Sequence, residues 1–117
     1  MTNTRYIFLD DERIPAYLKD GNDSWVVYRT AEALLDDLPN ILKSGNAVVF
    51  SLDHDLGEDI LTGYDFVRML VEMHMDGIYS LDFVRIQVHS ANPVGAQNMR
   101  RLWDNFQRVI LGTSTTP

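Results

Sequence analysis

Three apolar segments of this chain end in residues that can hold a cation or move a proton. Tyr6 to Leu9 runs into Asp10, Asp11 and Glu12, Ala47 to Leu52 into Asp53, His54 and Asp55, and Phe83 to Val88 into His89 and Ser90. Carboxylates offer hard anionic oxygens, and a set rich in oxygen and poor in nitrogen favours Mg²⁺ or Mn²⁺ over zinc. Asp10, Asp11, Asp53 and Asp55 are therefore the candidate metal ligands. If the first and third segments are neighbours, their carboxylates meet, and each raises the other's pKa unless a cation lies between them. His54 and His89 follow apolar segments, and an imidazole at the functional edge is a candidate general acid or base.

Each of these residues also has a plainer reading. An aspartate at a loop start is commonly a turn former or helix cap, and it is the pair of acidic segment ends that points to a site. His54 reads equally well as a cap or a supporting hydrogen-bonder. Ser90-Ala-Asn-Pro-Val-Gly95 leads into a helix N-terminus, where free N–H groups and the helix dipole attract an anion. Ser90, Asn92, Val94 and Gly95 are thus candidates to hold a phosphate, although Asn-Pro also describes an ordinary capped helix start. His74, late in a helix, reads as a surface residue or a complement to the helix dipole.

Bringing distant segment ends together requires a fold that aligns them. With Trp25 to Tyr28, there are four short apolar runs separated by helical patterns, the signature of a parallel sheet with crossover helices. Ligands of such sheets bind outside the carboxyl ends of the strands, where strand order reverses. Thr30 can cap a helix carrying Ala33, Leu34, Leu35 and Leu38. Thr62 and Asp65 form a capping-box pattern ahead of Phe66, Val67, Leu70 and Val71. Asn92 and Pro93 open a helix with Val94, Met99, Leu102, Trp103, Phe106, Val109 and Ile110 at helical spacing. Arg13 to Ser24 reads as loop, with at most a turn of helix around Ala16 to Lys19, and Leu56 to Asp59 as a flexible loop beside the site. In the fourth strand Arg85, Gln87 and His89 alternate with apolar residues, which predicts an edge strand or a partly uncovered face. One domain is expected over residues 1–111, with a frayed polar tail at 112–117.

The 117 residues suffice for one domain with a hydrophobic core. A net charge of −7 argues against sequence-independent nucleic-acid binding, and no sequence-specific DNA binding is expected. The absence of cysteine excludes disulfides, zinc-thiolate sites and thiol catalysis. No apolar run approaches the roughly 20 residues that span a bilayer. Met1 to Arg5 lacks a signal-peptide pattern, so the expectation is a cytosolic protein without a membrane partner.

Tyr6-Ile-Phe-Leu-Asp-Asp-Glu12 resembles the first strand of response-regulator receiver domains, and Val48-Val-Phe-Ser-Leu-Asp53 resembles their third. The resemblance implies a flavodoxin-like α/β fold, a metal-binding acidic pair, and Asp53 at the phosphoacceptor position. The chain departs from receivers in having no lysine after Lys43 and no fifth strand or fifth helix. Ser51-Leu-Asp-His-Asp-Leu-Gly57, Val88-His-Ser-Ala-Asn-Pro-Val-Gly95 and Leu9-Asp-Asp together resemble the cyclic-phosphate processing receiver family. That likeness implies action on 2′,3′-cyclic phosphates at RNA ends or on related nucleotides, with His89, His54 and Asp53 as catalytic candidates. The alternatives are a non-catalytic nucleotide- or protein-binding module and an Asp53 phosphoacceptor. Because the helices that cover one receiver sheet face are largely missing, either the final helix should fold back over that face or a second copy should cover it.

Overall fold

Parallel strands β1 (Thr4–Leu9), β2 (Trp25–Tyr28), β3 (Ala47–Leu52) and β4 (Val84–Val88) form one sheet ordered β2-β1-β3-β4. Helices α1 (Ala31–Leu42), α2 (Gly63–Met75) and α3 (Pro93–Val109) follow β2, β3 and β4. The computed structural model describes residues 4–14, 25–42, 47–57 and 60–112. The anticipated helical turn at Ala16 to Lys19, Glu58 and Asp59 of the loop beside the site, and residues 113–117 of the tail lie outside them. This is a receiver-like α/β fold with the reversal of strand order between β1 and β3.

Strand periodicity of two assigns the faces. Ile7, Leu9, Val48, Phe50 and Leu52 point to one side, against Leu34, Leu38 and Ile41 of α1, Phe66 and Leu70 of α2, and Met99, Trp103 and Phe106 of α3. Fully burying each such side chain contributes about 1.5–3 kcal/mol. All three helices therefore share one face. Tyr6, Phe8, Trp25, Val27 and Val49 form a smaller cluster on the other. The expectation that the final helix returns over that second face is corrected, because the apolar stripe of α3 is spent on α2 and the shared core. β4 is the edge strand that its alternation predicted, with Arg85 and Gln87 exposed.

The helix starts follow their caps. Asp65 N–H donates to Thr62 Oγ1 (3.1 Å) and Thr62 N–H to Asp65 Oδ2 (2.9 Å), completing the capping box. Gly95 N–H donates to Asn92 Oδ1 (3.0 Å), and Ala33 N–H to Thr30 Oγ1 (3.1 Å). His74 occupies the last turn of α2, where it complements the helix dipole, and it is half-buried. Its Nδ1 accepts from Leu81 N–H (3.1 Å) and its ring meets Phe106 edge-on, which ties the α2–β4 connection to α3. No helix among the described residues is long and apolar enough to cross a membrane.

The hydroxyl of Tyr28 at the end of β2 donates to the Asp37 carboxylate on α1. Burial first, and then Asp37, pushes the tyrosine pKa from 10.0 up to about 12, while the same bond holds Asp37 below the usual carboxylate range. A raised folded pKa means a contribution that is complete below pH 10 and is lost as pH climbs toward 12. Urea midpoints across that window should therefore fall more steeply for the wild type than for Tyr28→Phe. Parallel curves would show that the bond contributes nothing to stability.

Candidate metal and phosphate site

The site is built by strand register. Leu9 pairs with Tyr28 and Leu52, and Leu52 with Val88, so the next residues, Asp10, Arg29, Asp53 and His89, leave the sheet at one level. The ladder holds them there: Asp10 N–H donates to the Tyr28 carbonyl (3.1 Å), Asp53 N–H to Leu9 (2.9 Å), and His89 N–H to Leu52 (3.0 Å). Strand alternation then turns the side chains of Asp10, Asp53 and His89 away from the helices.

Asp10 is fully buried and heavily held. Its Oδ1 accepts the backbone N–H groups of Glu12 and Arg13, both at 2.9 Å, and its Oδ2 lies 3.0 Å from His89 Nε2 and 3.4 Å from Arg13 Nε. Burial pushes this carboxyl up, but the two N–H donors and His89 outweigh it and keep Asp10 below its ordinary pKa. An ionised carboxylate only accepts, so His89 carries its proton on Nε2 and takes Ser51 Oγ–H on Nδ1 (2.7 Å). Burial holds the His89 pKa down against the pull of Asp10, which favours this neutral tautomer. The ring also stacks on Phe8, with centroids 4.5 Å apart. With its side chain only 5% exposed and both nitrogens engaged, His89 orients Asp10 rather than facing solvent as a free acid or base.

Ligand atoms of Asp10, Asp11 and Asp53 all lie within 4.8 Å of one another. The Asp53 carboxyl is pushed up, first by burial and then by the charge of Asp10, with the Ser90 hydroxyl, Arg13 and His89 offsetting part of the effect. An all-oxygen, mutually repelling set with an exposed member suits a hard divalent cation. Asp55, expected among the ligands, is not brought into this group. It accepts from His54 Nδ1 (2.8 Å) and from Asn92 Nδ2 (3.2 Å), and it lines the same open cleft as Asp11, Glu12, Arg13 and Asp53.

The Ser90–Gly95 turn is placed differently from the anticipated phosphate cradle. Gly95 N–H is committed to the Asn92 cap, and Ser90 is engaged with Asp53 and, through Oγ, with Asn92 N–H (3.1 Å). Val94 stands 67% exposed in the first turn of α3, outside the apolar stripe. The group that approaches Gly95 closely is a side chain, not a ligand: a Cβ there would sit 2.5 Å from His54 Cγ.

Four residues that hold the site escape a reading of the sequence. Arg13 donates to the His89 carbonyl (3.2 Å) as well as flanking Asp10, and Arg29 donates to the carbonyls of Asp10 (3.0 Å) and Arg13 (2.6 Å), fixing the exit from β1. Ser51 carried a signal, since a serine inside an apolar strand must find a partner. Phe8 carried none.

The model of the cyclic-phosphate processing receiver domain matches residues 5–105, a span that contains the whole strand-end cluster. No curated protein and no solved structure gave a match. The aligned carboxylates, the four-stranded parallel sheet and a match over most of its length agree: this chain belongs to the cyclic-phosphate processing receiver domain family.

Proposed function

We propose that the chain is a metal-dependent phosphodiesterase that opens cyclic phosphates, with 2′,3′-cyclic RNA ends or related nucleotides as its substrate class. The observation that carries this reading is the convergence of three carboxylates from two strand ends within 4.8 Å. Mg²⁺ or Mn²⁺ held by Asp10, Asp11 and Asp53 would polarise a phosphoryl oxygen and lower the pKa of a bound water.

The chain's own residues supply the rest. His89, fixed by Ser51 and Phe8, is a positioning residue that holds Asp10 in one orientation. Hydrolysis of a cyclic phosphate adds water across one P–O bond, so the attacking oxygen loses a proton and the departing ribose oxygen gains one. This traffic falls to His54. Its Nδ1 proton is committed to Asp55, its side chain is 19% exposed, and its Nε2 is left as the basic atom. Arg13, on the lining of the acidic cleft, brings positive charge to a phosphate there.

The test uses Mn²⁺ and an oligoribonucleotide ending in a 2′,3′-cyclic phosphate. Ring opening is expected, falling about 10²-fold or more in His54→Ala, the range for a lost general acid or base. Asp10→Asn should remove turnover and the calorimetric Mn²⁺ signal together. Tight binding without product would favour the binding-module alternative. A stable mass gain from acetyl phosphate, lost in Asp53→Asn, would identify a phosphoacceptor instead.

A further inference from the structure

A groove of about 490 Å³ opens between the start of α2 and one flank of α3. Tyr64 stands on the α2 side, and Asn98, Arg101, Leu102 and Asn105 stand on the other. Their spacing of three, four and seven residues from Asn98 places them on one stripe of α3, separate from the buried stripe of Met99, Trp103 and Phe106. The lining contains no acidic side chain, in a chain with 17 acidic and 10 basic residues. Among the described residues, no hydrogen bond or ion pair engages the side chains of Tyr64, Asn98 or Arg101.

These groups have a shared chemistry. An aromatic face offers stacking, a side-chain amide offers a donor beside an acceptor, and a guanidinium offers planar donors and a cation. A phosphate alone would use the donors and leave the aromatic face idle. A heteroaromatic base uses all three. The groove also adjoins the acidic cleft: His54 lines the groove, Asp55 lines the cleft, and the two are joined by the 2.8 Å hydrogen bond.

We propose that this groove is a nucleoside subsite, in which the base lies against Tyr64 with its edge toward Asn98 and Arg101. A phosphate on the same molecule reaches past His54 to the carboxylates. Base binding stands on the groove alone, and only the placement of the phosphate rests on the phosphodiesterase reading.

Two measurements on the full chain test it. Adenosine, which has no phosphate, should shift the NMR signals of Tyr64, Asn98 and Arg101, and the shifts should vanish in Tyr64→Leu and Arg101→Ala proteins that remain folded by circular dichroism. Adenosine 2′,3′-cyclic monophosphate should bind about tenfold or more tightly than glycerol 1,2-cyclic phosphate, which presents the same ring without a base. Tyr64→Leu should bring that ratio toward one. Equal affinity of the two compounds for the wild type, or a ratio unchanged in Tyr64→Leu, would overturn the subsite. Adenosine binding at the groove without turnover of any cyclic phosphate would support the subsite and sink the phosphodiesterase reading. Turnover with no base preference would do the reverse.

Discussion

Metal-free Asp53→Asn protein is expected to withstand more urea than the wild type at neutral pH, and the order is expected to reverse when both are saturated with Mg²⁺. Asp53 is only 5% exposed, and burial together with the Asp10 charge raises its pKa in the folded state. A carboxyl whose folded pKa is raised favours folding below its unfolded pKa, and that advantage is lost as pH rises through the folded value. At neutral pH the ionised Asp53 is therefore a cost to the fold. Asparagine keeps the shape and an acceptor oxygen for Ser90 while removing the charge. A bound cation inverts the comparison, because it stabilises the folded state by about 2.7 kcal/mol at a hundredfold excess over Kd. The variant, with two of the three carboxylates left, should gain less. Urea titrations with EDTA and with Mg²⁺ read both halves. A less stable metal-free variant would show that the Asp10–Asp53 repulsion is already compensated within the protein, and the argument for a cation at this point would fail.

What was legible in the sequence is what obeys one-dimensional rules. Apolar runs ending in charge gave the strands and their functional edge. Asn92-Pro93 and the three-residue spacing from Thr62 to Asp65 gave two helix starts, since a cap acts within three residues of its own position. The convergence of Asp10 and Asp53 follows wherever β1 and β3 are neighbours, and the register of Leu9 with Leu52 makes them so. The task of each side chain was not legible, because it is set across strands. His89 finds Ser51 at a separation of 38 residues and Asp10 at 79, and nothing local to Val88-His-Ser distinguishes a ring folded back over Phe8 from one aimed at solvent. Gly95 illustrates the same limit. Its small size was visible, but the His54 ring that requires it belongs to another loop. The choice between α3 and a second copy as the cover of the second sheet face is not legible for a related reason, as an apolar stripe states that a helix is covered without stating by which face of the sheet.

Gly63→Ala is expected to cost about 3 kcal/mol or more, at or beyond the upper end for overpacked positions. The helix itself argues the other way, because alanine is favoured over glycine within a helix by about 1 kcal/mol. Contact decides against it. Gly63 is the first residue of α2, and its N–H donates to the His54 carbonyl (2.9 Å). A Cβ there would fall 2.0 Å from the Asp53 carbonyl oxygen and 2.9 Å from Met99 Cε. The methionine methyl can swing aside, but the carbonyl belongs to the strand-end backbone that carries the Asp53 carboxylate. Relief therefore requires α2 to retreat from β3, opening the core around Phe66 and Met99 and shifting a candidate metal ligand at once. Gly77→Ala is the control that separates contact from conformation. Gly77 has φ +75°, which alanine adopts only with strain, yet nothing lies within 4 Å of its Cβ position. Urea unfolding should show a loss for Gly63→Ala several times that for Gly77→Ala, accompanied by weaker Mn²⁺ binding. Comparable losses in the two variants, with Mn²⁺ affinity unchanged, would mean that the start of α2 can move freely and that its close approach does not fix Asp53.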